Sequence, residues 1–294
     1  MDRLLTVVIP VRNRAHLVGR TLQSLAEQTV QPAAIVLVDN GSTDSTAQVL
    51  SDWAQGRPNV EIISEPRPGA ACARNAGLAR VRTPYVLFFD SDDQMPPRHI
   101  EEVAAAIRAN NQPQILEFES VFINPEGKRK LSPLRGGDEL ENHIFHATLA
   151  TQRYAVSTEL VRRVGGWNEA LPGWNDLELG VRLLAARPTL AKVRLSSPVE
   201  IFTHADSITG TDFSSKAGQW ERALDFCEQA LSDFPRHRRL IDYRRAILAG
   251  RYRREGRPEL AGTLARGLLM KFIEKYTALG GRGVAKFAIV EKFR

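Results

Sequence analysis

The sequence predicts an α/β fold: a mostly parallel sheet flanked by helices over residues 1–215, then an α-helical extension over 216–294. Three observations lead to it. In the first 120 residues, short β-branched runs alternate with segments of helical period. At 294 residues and 43% hydrophobic content, the chain can bury a sizeable core, and its charged and aromatic fractions are ordinary for a folded protein. The net charge of +6 is unevenly spread: 18 Lys and Arg against nine Asp and Glu from Lys216 onward, 22 against 25 before it.

The runs LLTVVIPV (4–11), AIVLVD (34–39), VEIIS (60–64) and YVLFFD (85–90) read as buried parallel strands. Between them, His16–Gln28, Ser45–Gln55, Ala70–Arg82 and Pro97–Ala109 read as helices. Strict alternation calls for right-handed βαβ crossovers. Ser42, Thr43 and Asp44 offer cap oxygens before the second helix, and Pro96-Pro97 sets the first turn of the fourth. Ile115–Ile123 reads as one more strand, and Asn124–Gly137, rich in Lys, Arg, Pro and Gly, as a loop. Farther on, Thr158–Val164 and Asp176–Ala186 look helical and Val199–Thr203 extended. After residue 216 the reading is helical throughout: Gln219–Phe234, Arg238–Arg254 and Pro258–Thr277.

Cys72 and Cys227 are too far apart in sequence for a CxxC motif, so a disulfide scaffold or zinc finger is not expected. No stretch approaches the roughly 20 apolar residues that span a bilayer. The amino-terminal MDRLLTVVIPVRNR lacks a leader's cleavage region. The expectation is a cytoplasmic protein, with peripheral contact at the inner membrane face as an option.

Ligands of open parallel sheets bind beyond the carboxyl ends of the strands. Those ends are Pro10-Val11-Arg12-Asn13, Asp39-Asn40-Gly41-Ser42, Glu65–Ala71 and Asp90-Ser91-Asp92-Asp93. Each alone reads as a βα turn, which favours such residues. Four together point to one crevice. Three carboxylates within Asp90–Asp93 repel one another unless a cation intervenes, and hard oxygen ligands at a strand end suit Mg²⁺ or Mn²⁺ bridging to nucleotide phosphates. The first strand is followed by neither GxGxxG nor GxxxxGK[ST], so dinucleotide redox and P-loop chemistry lose their support. Arg74, in GAACARNAGLA, can pair with phosphate or lie on the surface.

The ordered set VVIPVRNR, IVLVDNGSTDST, GAACARNAGLA and YVLFFDSDDQMPP resembles the family 2 glycosyltransferases of GT-A, Rossmann-like fold, over residues 5 to about 204. The resemblance implies an inverting transfer of a sugar from a nucleotide diphosphate, UDP first, to a hydroxyl of a glycan or lipid-linked acceptor. It implies that Asp39 contacts the base with Pro10, Val11 and Arg12 lining that pocket. Asp90 would hold the ribose beside Ser91, and Arg74 would lie near the nucleotide. Asp92 would coordinate a divalent cation, Mn²⁺ or Mg²⁺, with His204 of IFTHADSIT close to metal and diphosphate. The acceptor-side base maps to Asp176 in GWNDLEL, with Trp174 and Asn175 on the acceptor side. The family pattern has Glu-Asp where this chain has Asn175-Asp176. Taken without the family, Asp176 is a helix-start acid and His204 a packed or surface histidine. Trp167 and Trp174 suit either core packing or stacking on a sugar.

The tail carries nine Arg and two acids over Arg236–Arg257. It reads as a helical subdomain with a solvated basic face, as an interfacial helix touching anionic lipid, or as a phosphate-contacting face. Two other functions use similar residues. A nucleotidyltransferase needs a glycine-rich phosphate loop that VIPVRNRAHL lacks, and a non-catalytic nucleotide or nucleic-acid binding module would leave the acids without a purpose. No nucleic acid is expected as a partner.

Overall fold

A computed structural model describes residues 3–203, 213–262, 264–265 and 267–278. The first elements follow the alternation read from the sequence: β1 (Leu5–Val11), α1 (Val18–Ala26), β2 (Ala34–Asp39), α2 (Thr46–Ala54), β3 (Val60–Ser64), α3 (Ala70–Arg80), β4 (Tyr85–Phe88) and α4 (His99–Ala109). β1 is buried along its whole length, flanked in parallel register by β2 (Val7↔Ile35 through Val11↔Asp39) and β4 (Leu5↔Tyr85 through Val8↔Phe88). β3 is parallel to β2 but forms the edge, so Glu61, Ile62 and Ser64 are exposed rather than buried as expected.

Beyond β4 the pattern breaks. The run 115–123 is two strands, β5 (Ile115–Phe118) and β6 (Ser120–Ile123), which enter different sheets. The expected loop that follows contains β7 (Arg129–Ser132), antiparallel to β6. Next come α5 (Glu139–His146), β8 (Tyr154–Ser157), α6 (Thr158–Arg163), α7 (Asn175–Ala185), β9 (Leu190–Val193) and β10 (Val199–Phe202). The seven-stranded sheet has the order β3-β2-β1-β4-β8-β5-β9, and β8 runs antiparallel to both its neighbours. A three-stranded sheet, β10-β6-β7, completes the strands. Strand order reverses at β1, between β2 and β4, which is where open α/β sheets place their ligands.

The chain divides into two units that interleave in sequence. The first holds residues 1–136, 148–172 and 186–204, and with them both sheets. The second holds residues 137–147, 173–185 and everything from 205 onward. The expected boundary near residue 215 therefore sits inside the second unit, which also recruits α5 and α7 from the middle of the chain. Its later helices are α8 (Ala217–Ala230), α9 (Pro235–Arg254), α10 (Pro258–Ala261) and α11 (Gly267–Ala278). The single helix expected over Pro258–Thr277 is thus two. In α9, Leu240, Ile241, Tyr243, Ile247, Leu248 and Tyr252 are all buried. Several of its arginines pair with acids of the same unit: Arg236 with Glu141, Arg238 with Glu228, and Arg245 with Asp225 and Glu228. Among the described residues, no helix is long and apolar enough to cross a membrane.

Two packing details generate tests. Gly77 on α3 lies so close to the sheet that a Cβ there would overlap Val8 Cγ1 and sit 3.2 Å from Val38 Cγ2. Gly77→Ala is expected to cost about 1–3 kcal/mol in urea unfolding, because neither strand can retreat. His99 begins α4 fully buried, edge-on to Phe118 at 4.9 Å, with neither ring nitrogen hydrogen-bonded. Burial drives its pKa from 6.5 down to about 3, so the folded protein holds it neutral while the unfolded chain protonates it. This contribution to stability is full above about pH 6.5 and is lost as pH falls toward 3. His99→Leu should flatten that acid limb relative to wild type in chemical denaturation measured across the same range.

Candidate active site

The carboxyl ends of β1 and β2 are stitched to each other. Asn13 takes a left-handed backbone (φ 50°), which lets its own N–H reach Ser42 Oγ at 3.0 Å while its Oδ1 accepts from Thr43 N at 2.8 Å. The Arg14 N–H donates to Thr46 Oγ1 at 2.9 Å. Pro10 and Val11 finish β1 buried, and Arg12 follows them exposed. Asp39 ends β2, and its Oδ1 accepts from Ser42 N at 3.1 Å. The β3 end is tied in by Asn40, whose amide donates to the carbonyls of Glu65 and Arg67 at 2.8 and 2.7 Å and accepts from Gly69 N at 2.8 Å. That last bond fixes the start of α3, on which Arg74 rides.

Arg74 is only 5% exposed, which removes the surface reading of the two that the sequence left open. Its Nη2 donates to Asp90 Oδ1 at 2.7 Å, and its guanidinium lies 4.4 Å from the centre of the Trp167 ring. Nε and Nη1 are buried without a partner, leaving donors that an anion can take up. Trp167, 2% exposed and edge-on to Phe88 at 5.1 Å, is core packing and no sugar platform.

Past β4 the acids divide by environment. Asp90 Oδ2 accepts from Gln152 Nε2 at 2.6 Å, so each of its oxygens already has a donor. Asp93 is 2% exposed and accepts from Gln152 and, at 2.9 Å, from Phe202 N of β10. Burial, then the nearby Asp90 and Asp92, push its carboxyl well above the usual range. Ser91 is buried beside them, and Asp92 keeps a half-buried carboxylate 4.0 Å from Arg14 Nε. The bridge between Gln94 and Glu200, with bonds of 3.0 and 3.1 Å, anchors this loop to β10.

Among the described residues, no group of three or more His, Cys, Asp or Glu is placed to hold a metal ion. A cation held by one or two carboxylates together with substrate phosphates needs no such cage. The oxygens of Asp90 and Asp93 are committed to protein donors. His204 lies outside the described residues.

Trp174, Asn175 and Asp176 belong to the second unit. Asp176 is in the first turn of α7, where its Oδ1 accepts from Leu177 N at 2.8 Å, and Asn175 is 9% exposed. Trp174 holds φ at 52°, an unusual value for so bulky a residue. Its ring packs 5.0 Å from Trp220 and 6.2 Å from Phe213. Glu178 is 2% exposed and gives both oxygens to Arg182, at 2.6 and 2.7 Å, which suits a structural ion pair and not a base. Sequence reasoning missed Gln152 and the stitching by Asn13 and Asn40. Gln152 carries no motif signal, and its role exists only where β8 is inserted beside β4.

A profile of glycosyl transferase family 2 matches residues 6–152, half of the chain and all four strand-end segments. A cholesterol galactosyltransferase from Borreliella burgdorferi is 26% identical over 170 residues, covering 54% of this chain and 48% of its own length. The chain therefore spans about half the length of that relative. Among solved structures, S. aureus TarS 1–349 in complex with UDP-GlcNAc superposes with a TM-score of 0.67 at 17% identity, covering 94% of this chain and 80% of TarS. The Pyrobaculum calidifontis mannosyltransferase PcManGT, in complex with GDP-Man and Mn²⁺, has a TM-score of 0.57 at 19% identity, covering 98% of this chain and 79% of its own. At these identities the structures establish the shared GT-A-like α/β fold. The profile, running from β1 to the chain entering β8, places this chain in glycosyl transferase family 2.

Proposed function

We propose that this chain is an inverting glycosyltransferase that moves a sugar from a nucleotide diphosphate to a hydroxyl of a glycan or lipid-linked acceptor. The observation that carries the reading is the Arg74–Asp90–Gln152–Asp93 network beside Asp39 and Asp92, at the strand ends where a family 2 donor binds. Two structural neighbours were solved with nucleotide sugars, UDP-GlcNAc in TarS and GDP-Man in PcManGT, which supports a donor of this class. UDP is the first choice.

In this reading Asp39 receives the base, with Pro10, Val11 and Arg12 along the same pocket. Asp90, already oriented by Arg74 and Gln152, faces the ribose beside Ser91. The unpartnered Nε and Nη1 of Arg74 supply positive charge near the diphosphate. Asp92, with His204, would hold Mn²⁺ or Mg²⁺, which when bound supplies charge neutralisation to the departing diphosphate; PcManGT was solved with Mn²⁺. Asp176 takes the acceptor's hydroxyl proton onto its carboxylate, and the freed oxygen attacks the anomeric carbon from the face opposite the leaving diphosphate. Trp174 and Asn175 border the acceptor. Contact of α9 with an anionic membrane would rest on charge, since the apolar side chains of that helix are buried.

Thermal unfolding with UDP, GDP, CDP and dTDP, each with and without Mn²⁺, tests the donor site. One diphosphate at a hundred times its dissociation constant should add about 2.7 kcal/mol of stability, and only with the metal. Asp92→Ala should abolish the metal-dependent part. Asp176→Asn should keep the nucleotide shift and lose transfer by roughly a thousandfold or more. Full transfer by Asp176→Asn would remove that residue from the role of base, and no shift with any nucleotide would remove the donor site.

A further inference from the structure

Of the eight arginines of α9, four are ion-paired and two, Arg239 and Arg254, are exposed. Arg236, Arg238 and Arg245 hold carboxylates of Glu141, Glu228 and Asp225, and Arg253 holds Glu274. Arg244 and Arg251 do neither of the usual things: they are not left in open water, and neither forms an ion pair with a carboxylate among the described residues. They are seven positions apart, two helical turns, and so share one face of α9.

That face lies on an aromatic floor. The Arg244 guanidinium is 5.0 Å from the centre of the Trp174 ring and that of Arg251 is 4.2 Å from the centre of Phe213. Trp220, 1% exposed, sits between the two, 5.0 Å from Trp174 and 5.7 Å from Phe213, and its Nε1 donates to Phe213 O at 2.9 Å. No Cβ could be added at Gly173 without overlapping Trp220, so the floor is closely packed. Stacking on a ring satisfies the face of a guanidinium but leaves its N–H edge unused, and Arg244 Nε is buried with no hydrogen-bond partner. Burial, then the charge of Arg251, lower the Arg244 pKa to about 10, while Asp176 acts in the opposite direction. Burial, then Arg254, also hold Arg251 below its usual value. Two half-buried cations that repel each other are costly to keep, and an anion between them would relieve both costs.

We propose that Arg244 and Arg251 form an oxyanion subsite beside Asp176, and that the acceptor hydroxyl is carried on a molecule bearing a phosphate group. The proposal rests on the reading of Asp176 as the acceptor-side base. A carboxylate fills one guanidinium fork with its two oxygens. Two forks separated by two helical turns call for an anion with more oxygens, and phosphate has them. Trp174 then acts through Arg244, as the wall that orients the guanidinium.

Calorimetric titration of the full chain with glycerol 3-phosphate, against glycerol as the neutral match, tests this. Co-sedimentation with phosphatidylglycerol vesicles, against phosphatidylcholine, separates a lipid-borne phosphate from a soluble one. Wild type should bind one of the phosphate probes and neither neutral partner, with R244Q and R251Q weaker by about tenfold or more. The control R238Q removes an exposed, ion-paired charge from the same helix and should bind within about twofold of wild type. Binding to vesicles alone assigns a lipid headgroup, and binding to glycerol 3-phosphate assigns a soluble or polymeric phosphate. Absence of phosphate binding in wild type, or equal losses in R244Q and R238Q, overturns the subsite. Should R244Q fail to fold, R251Q carries the same comparison. The UDP–Mn²⁺ stability shift, measured on the same preparations, keeps the two readings apart. If it is absent while Arg244-dependent phosphate binding persists, the donor assignment fails and the subsite stands.

Discussion

Three carboxylates within four residues cannot gather at the end of a buried strand unless something else holds them there. Here the Gln152 amide does, donating one hydrogen to Asp90 and the other to Asp93. Arg74 completes Asp90 and the Phe202 N–H completes Asp93. The same four contacts join α3, the loop after β4, the chain entering β8, and β10. The crevice at the head of the sheet is thus held by polar bonds that a slip of any one segment would break. Asp92, in the same loop, keeps a half-buried carboxylate 4.0 Å from Arg14 Nε.

The stitching at β1, β2 and β3 follows the same logic with neutral groups. Asn13 and Asn40 use their amides as backbone substitutes, closing turns whose own N–H and carbonyl groups lack ladder partners. Polar residues at these ends therefore serve two purposes. Asn13, Asn40 and Ser42 build the loops, and in the proposed reading Arg12, Asp39 and Asp92 meet the donor.

The second unit solves a different problem, since it has many arginines and few acids to neutralise them. Four of the eight arginines of α9 find a carboxylate on α5, α8 or α11. Arg244 and Arg251 are packed on aromatic rings instead. Charge counting alone describes this tail as basic. Only packing separates the ion-paired arginines from the two that lie on rings.

From its residues alone, the chain determined the first four strands and helices, nearly to their ends, and the strand-end acids. Local periodicity governs the former, and the latter stand where each strand's apolar run stops. The βα alternation from β1 to α4 needs only near neighbours, so it is legible in sequence. β8 and β9, the split of 115–123 into two sheets and the recruitment of α5 and α7 into the second unit were decided by pairing across long stretches of chain. A four-residue strand such as Tyr154–Ser157 has too short a pattern to declare itself, and it exists because β4 and β5 offer it two ladders. The burial of Arg74, the commitment of Asp90 to Gln152 and the placing of Arg244 against Trp174 have the same origin. They depend on which distant side chain arrives, and the tertiary structure alone settles that.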